Sequence, residues 1–211
     1  ILNTLNDVTI TADDIAQLVF TSGTTGEPKG VMHTANTLFS NIVPYAKRLH
    51  LSKDDVIFMG SPMAHQTGFM YGLIMPVLLK AKAVLQDVWD VNIAIDLIHK
   101  HEVTFTMAST PFLNDLSEAV LDTHQSLDSL KLFLCAGAPI PSTLVQKARQ
   151  NMGVKVISAW GMTECGAVTT TRPEDDDERS FDTDGLPLPG VEVKVVGDDG
   201  EELAPHQSGT L

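Results

Sequence analysis

The sequence predicts an α/β fold of mostly parallel sheets flanked by helices, ending in the start of an antiparallel β region. Three observations predict it. Over residues 55–159, short runs rich in Val, Ile and Phe alternate with amphipathic stretches of helical period. Near the N-terminal end, an apolar run leads into a stretch rich in Gly, Ser and Thr. From Gly190 the period changes to two: Val191, Val193 and Val195 alternate with Glu192 and Lys194.

The bulk numbers bound the function classes. The 211 residues suffice for one sizeable domain with its own core, and a hydrophobic content of 43% marks it as globular. A formal net charge of −13 argues against nucleic acid or an anionic membrane as a general partner. No uninterrupted apolar run approaches the ~20 residues of a membrane span, and no secretory signal is visible. Cys135 and Cys165 lie in no metal or redox spacing. They read as two buried free thiols of a cytoplasmic protein. The chain opens at Ile1 without Met and stops as another strand begins, so it reads as a segment of a longer protein. A homo-oligomer is compatible with this composition.

Residues 2–14 are polar and read as an entry segment. Residues 15–20, IAQLVF, read as a short buried strand. Residues 33–49 carry Leu38, Ile42, Tyr45, Ala46 and Leu49 at helical spacing, with Pro44 placed to kink or split the helix. A strand over 55–59, a turn, and an apolar helix over 70–79 follow. After a strand over 82–85, Asp90 is placed to cap a helix with Val91, Ala94, Ile95 and Ile98 inward. Next come a strand over 103–107 and a helix opened by Pro111. A second cycle has a strand over 130–135, a helix over 142–152 ended by Gly153, and a strand over 155–159. Residues 172–184 include the run Glu174-Asp175-Asp176-Asp177-Glu178, read as a solvated loop without chemistry. Asp198-Asp199-Gly200 reads as a hairpin turn. The expected division is a core over 1–184 and the start of a β-barrel-like subdomain over 185–211.

The stretch Thr21-Ser22-Gly23-Thr24-Thr25-Gly26-Glu27-Pro28-Lys29-Gly30 holds three Gly, four Ser or Thr, and one Lys. Glycines turn backbone N–H groups towards a ligand, hydroxyls add donors, and Lys29 adds a positive charge. Together they suit a polyphosphate. The stretch is not a Walker A loop, because Gly23 and Gly26 are too close and Lys29 is followed by Gly30. The loops starting at Thr21, Ala136 and Trp160 all follow expected strands, and ligands of parallel sheets bind at the strands' carboxyl ends. Alone, the loop Ala136-Gly137-Ala138-Pro139 fits a plain turn as well as a surface for a flat ring. Trp160 fits core and ligand platform equally. Glu164 fits a surface carboxylate or a Mg²⁺ ligand. His65 taken alone reads first as a satisfied core or loop histidine, and gains weight as a site residue from its place after Ser61-Pro62 in a loop that follows a strand.

These residues resemble the signatures of the adenylate-forming enzymes, the family of acyl-CoA synthetases, luciferases and peptide-synthetase adenylation domains. The glycine-rich stretch matches [ST]-S-G-[ST]-T-G-x-P-K-G throughout. Pro62-Met63-Ala64-His65 is similar to the family's P-x-x-H motif, and Gly137-Ala138-Pro139 to its adenine loop. Trp160-Gly161-Met162-Thr163-Glu164 is similar to [YW]-G-[MQ]-T-E. Residues 185–196 are similar to the G-x-P-x-P-G-x-E-x-K entry to its β-barrel region. Residues 63–72, 105–111 and 134–141 most resemble medium-chain and cyclohexanecarboxylate-type CoA ligases.

The resemblance implies the N-terminal domain fold of that family and an AMP-forming acid–CoA ligase using ATP, Mg²⁺ and CoA. It implies phosphate binding by Thr21, Ser22, Gly23, Thr24, Thr25, Gly26 and Lys29. Adenine falls to Gly137, Ala138, Pro139 and Trp160, with Ala159, Gly161 and Met162 also among the cofactor-binding residues. Thr163 falls to the α-phosphate, Glu164 to Mg²⁺, and His65 with Met162 to the acyl group. Thr163, Glu164, Lys29 and His65 are the implied catalytic set. The family's Thr-Gly-Asp motif, hinge arginine and C-terminal catalytic Lys are not in this sequence. Rival readings are an ADP-forming kinase, a non-catalytic nucleotide-binding module, and an adenylating enzyme with an acceptor other than CoA.

Overall fold

The computed structural model describes residues 9–21, 26–123 and 125–211. A seven-stranded sheet forms its centre, with strand order β4-β3-β5-β6-β7-β8-β9. Its strands are β3 (Val56–Met59), β4 (Lys82–Leu85), β5 (Phe105–Ala108), β6 (Leu132–Ala136), β7 (Lys155–Met162), β8 (Gly166–Thr170) and β9 (Leu186–Pro187). The first five in space are parallel; β8 and β9 join antiparallel. This is the expected α/β architecture of mostly parallel strands.

Period-two alternation divides the buried side chains between two cores. Phe58, Phe133, Cys135 and Val156 point to one face. There they meet α3 (Val91–His101), α4 (Thr110–Ala119) and α5 (Ser142–Met152). Ile57, Met59, Phe105, Leu134 and Ile157 point to the other face. That face is covered by α1 (Ala35–Arg48), a π-helical segment Gly68–Ile74 and α2 (Met75–Leu79). Asp90 caps α3 by accepting from the N–H groups of Asn92 and Ile93. Gly153 ends α5 in the left-handed region at φ 68°.

Several expectations are corrected. The run 15–20 is not a buried strand of the main sheet. It is β1 (Ile15–Thr21), paired antiparallel with β2 (Lys29–Thr34) in a separate two-stranded sheet. Leu18 and Phe20 are 55% and 66% exposed, so composition alone misplaced it. β2 takes the residues before Thr34, whose hydroxyl caps α1 through a capping box with Thr37. The helix runs unbroken through Pro44, because Ile42, Tyr45 and Ala46 around it are buried. Their packing outweighs the ~3 kcal/mol cost of an internal proline.

The helix expected over 70–79 starts at Gly68 with a π turn. A Cβ at Gly72 would lie 2.5 Å from Met59 Cγ, so this helix backbone rests directly on β3. β7 runs on to Met162, making Trp160, Gly161 and Met162 strand rather than loop, and hairpins into β8. The run Glu174-Asp175-Asp176-Asp177-Glu178 is a loop with Glu174, Asp176 and Glu178 exposed, as expected, but the segment is also tied down. Lys155 Nζ pairs with Asp177 at 2.7 Å, and Ser180 Oγ donates to the Val156 carbonyl within α6 (Arg179–Asp182). Residues 191–195 form no strand; the turn at Gly200 is closed by the antiparallel bridge Val196–Glu202. Cys135 is buried, but Cys165 is exposed. Among the described residues, no helix is long and apolar enough to cross a membrane.

Candidate active site

The strand order reverses at β3, whose neighbours are β4 on one side and β5 on the other. Such a reversal opens a crevice at the carboxyl ends of the strands. A cavity of about 480 Å³ lies there. β3 leads into Ser61, Pro62 and His65; β5 supplies Met107, Ala108 and Ser109; β6 supplies Ala136 and Gly137; β7 supplies residues 159–163. Among the described residues, no lining side chain carries a formal charge, and His65 is the only imidazole.

A second cavity of about 440 Å³ adjoins the first. Gly137, Ala159, Trp160 and Gly161 line both and form the wall between them. Residues 138–140, 158 and 180–184, among them Ala138, Pro139, Ser158, Asp182 and Asp184, complete the second. Its rim therefore carries carboxylates, where the first cavity has none. Ser158 Oγ donates to the Thr183 carbonyl at 2.7 Å and fixes the acidic segment against β7.

His65 is exposed, and its Nδ1 accepts from the Thr67 N–H at 3.2 Å. A backbone N–H can only donate, so the ring hydrogen of the neutral imidazole sits on Nε2. Thr163 lines the first cavity, and Glu164 stands exposed beside it in the β7–β8 turn. Gly166 ends that turn at φ +69°, where a Cβ would meet the Asn41 side chain at 2.9 Å.

The turn is gripped from α1 and β2. His33 Nε2 donates to the Thr163 carbonyl at 2.8 Å. Asn41 Nδ2 donates to the carbonyls of Cys165 and Ala167 at 2.9 and 2.6 Å. Arg48 reaches the Pro187 carbonyl at 2.9 Å. Burial pushes the Tyr71 hydroxyl far above its ordinary range, so it stays a neutral donor beside the cavity.

The structure thus brings together His65, Gly137, Ala159, Trp160, Gly161, Met162 and Thr163 around the first cavity, and Ala138 and Pro139 around the second. Thr21, Gly26 and Lys29 line neither. Thr21 and Lys29 face each other across the antiparallel β1–β2 pair. Ser22, Gly23, Thr24 and Thr25 lie outside the described residues. No cluster of three His, Cys, Asp or Glu that could hold a metal occurs among the described residues. A lone Glu164 still suits Mg²⁺, which takes one or two carboxylates together with phosphate oxygens.

Sequence reasoning missed Gln66, Tyr71, Met107, Ser109 and Phe112 in the first cavity. It also dismissed the segment holding Asp182 and Asp184. Met70 and Met75 are core residues; Met107 and Met162 line the cavity instead.

Comparison with known proteins identifies the family of the chain. The medium-chain fatty-acid–CoA ligase of Escherichia coli K12 is 36% identical over 202 residues, covering 96% of this chain and 36% of that protein. A 2-succinylbenzoate–CoA ligase of Bacillus velezensis is 32% identical over 203 residues, covering 96% of this chain and 40% of that protein. The chain therefore spans well under half the length of these relatives. The O-succinylbenzoate coenzyme A synthetase of Bacillus subtilis, solved with ATP and magnesium, superposes with a TM-score of 0.83 at 30% identity. It covers 95% of this chain and 42% of that one. The family model described as "AMP-binding enzyme" matches residues 3–211, and the chain belongs to that family.

Proposed function

We propose that this chain is the ATP- and acyl-binding part of a longer AMP-forming carboxylic acid–CoA ligase acting on a fatty or alicyclic acid. The observation that carries the reading is the pair of cavities sharing the Trp160 wall, one uncharged and one rimmed by carboxylates. An acyl chain suits the first. The hydrogen-bond donors of an adenosine suit the second, against Gly137, Ala138, Pro139 and Trp160. The two reacting ends then meet near Thr163.

A carboxylate oxygen attacks the α-phosphorus of ATP, forming an acyl–O–P bond as the P–O bond to pyrophosphate breaks. The CoA sulfur then attacks the acyl carbon, and AMP leaves with the electron pair of the C–O bond. No enzyme nucleophile is required, so catalysis rests on positioning and charge. The loop from Thr21 to Lys29, with Ser22, Gly23, Thr24, Thr25 and Gly26, offers donors to the β- and γ-phosphates. Thr163 holds the α-phosphate, and His65 with Met162 borders the acyl carboxylate. Glu164 would hold Mg²⁺, which would supply charge neutralisation when bound. Residues 1–184 form the binding core, and residues 185–211 begin a β-barrel-like subdomain.

The acid class is supported by the fatty-acid ligase relative and by the uncharged lining. A second carboxylate on the substrate would find no cationic partner there, which favours monocarboxylates. The test is to give the intact protein ATP, Mg²⁺, CoA and acids from acetate to cyclohexanecarboxylate. AMP and acyl-CoA are expected. ADP as product would transfer the reading to a kinase, AMP without acyl-CoA to another acceptor, and nucleotide binding without product to a non-catalytic module.

A further inference from the structure

Lys29 begins β2 of the β1–β2 hairpin, which among the described residues shares no ladder hydrogen bond with the central sheet. The position of Lys29 is therefore set by the way the hairpin is docked. Among the described residues, two side-chain hydrogen bonds cross from the hairpin to the layers around the first cavity. His33 Nε2 donates to the Thr163 carbonyl at 2.8 Å. Gln17 Nε2 donates to Gln66 Oε1 at 2.8 Å. Gln17 and His33 are direct cross-strand partners. One residue pair thus reaches both the turn carrying Thr163 and Glu164 and the loop carrying His65.

The chemistry of each contact suits a positional role. His33 is 2% exposed, and its Nδ1 lies 3.2 Å from Thr37 Oγ1 at the start of α1. The Thr163 carbonyl can only accept, so the hydrogen must sit on Nε2. The ring is held at both nitrogens and its orientation is set. Among the described residues, the Gln pair leaves Gln17 Oε1 and Gln66 Nε2 buried without a partner. Unpaired buried groups cost stability, so an apolar pair would serve packing better, and the amides specify register instead. From His33 back to Lys29 is four strand residues, about 13 Å of lever arm. A small rotation at His33 is carried to Lys29.

We propose that Gln17 and His33 form a latch that sets the glycine-rich hairpin in register with the Thr163–Glu164 turn, and that His33 is a positioning residue for the ATP half-reaction. The inference rests on the function proposed above. In the intact protein, His33→Ala is expected to raise the KM for MgATP about tenfold, as for one lost hydrogen bond, while the KM for the acid stays unchanged. His33→Gln, whose amide N–H can reach the same carbonyl, is expected to restore MgATP binding to within about threefold of wild type. Without any ligand, His33→Ala is expected to speed amide hydrogen exchange in residues 29–34 and 161–166.

An unchanged MgATP KM together with unchanged exchange would overturn the latch. So would a His33→Gln variant no better than His33→Ala. If the wild-type protein forms no AMP, the enzymatic reading fails, while the exchange measurement still decides the latch. If His33→Ala does not fold, Gln17→Leu carries the same test on the other arm, with the same MgATP and exchange outcomes deciding it.

Discussion

The Tyr71 hydroxyl donates to Asn41 Oδ1 across 2.7 Å and accepts from the Ala167 N–H across 2.8 Å. Asn41 in turn holds the Cys165 and Ala167 carbonyls. This buried network ties α1 and the π-helical segment to the turn that bears Thr163 and Glu164. Removing one member leaves partners unsatisfied at about 1–3 kcal/mol each. Asn41→Leu is expected to destabilise the fold by about 2–4 kcal/mol and Tyr71→Phe by about 1–3 kcal/mol. The double variant should cost less than the sum, because both remove one shared bond. Denaturant unfolding of the four proteins measures this; strict additivity would mean that the network is not coupled.

Phe112 faces the first cavity and is backed by Trp89, with ring centroids 4.4 Å apart. Asp115 accepts from Trp89 Nε1 at 2.9 Å and fixes the pair. Phe112→Ala is expected to enlarge the acyl space and shift kcat/KM towards bulkier acids by roughly tenfold. An unchanged ranking across an acid series would remove Phe112 from substrate selection.

Lys29 and Glu164 are exposed and carry opposite charges on separate elements. Lys29→Ala is expected to slow pyrophosphate formation by roughly 10²-fold, as for loss of one charge-stabilising donor. Glu164→Gln is expected to raise the Mg²⁺ concentration needed for half-maximal rate. A Mg²⁺ titration that overlays on wild type would leave Glu164 a surface carboxylate.

Burial pushes the Cys135 thiol up to about 12 from 9.0, and raises Tyr45 and Tyr71 above 10.0. Below pH 9 all three are neutral in the folded and unfolded chain. Above it the unfolded Cys135 ionises first, so the unfolded state binds fewer protons and stability falls. The expected loss is up to about 1.4 kcal/mol per pH unit from Cys135 between pH 9 and 12, with the tyrosines adding to it above pH 10. Urea unfolding from pH 8 to 10.5 reads this slope, and Cys135→Ala should flatten it between pH 9 and 10. A slope unaltered by that substitution would assign the alkaline loss to other groups.

Much of this was legible in the sequence where local chemistry decides. Asp90 and Gly153 announce helix ends because capping is local, and the parallel strands announce themselves by apolar runs. The β1–β2 hairpin was hidden because its apolar residues, Leu18, Phe20 and Met32, are exposed, so apolar character did not mean burial. The extension of β7 through Trp160 and the return strand β8 were hidden for a different reason. Gly161 and Gly166 read as loop residues, yet Gly161 lets the β7 and β8 backbones approach closely and Gly166 leaves room for the Asn41 and Met70 side chains. The motif residues around Trp160 were legible by type and spacing. Phe112, Tyr71 and Asp184 were not, because they reach the cavities only through strand order.

Residues 1–211 alone are expected to bind ATP weakly and not to turn over, since the ribose-binding and catalytic Lys motifs implied by the family resemblance are not in this sequence. Acid-dependent AMP production by the isolated chain at the rate of the intact protein would contradict this.

The central claim is that an acid and ATP meet across the Trp160 wall to form an acyl-adenylate before CoA takes part. Exchange of labelled pyrophosphate into ATP by the intact protein, measured without CoA, tests it most directly. The account predicts exchange that requires Mg²⁺ and a carboxylic acid and is strongest for medium-chain or alicyclic monocarboxylates. Exchange that is absent for every acid, while the protein binds ATP and is folded, would contradict it.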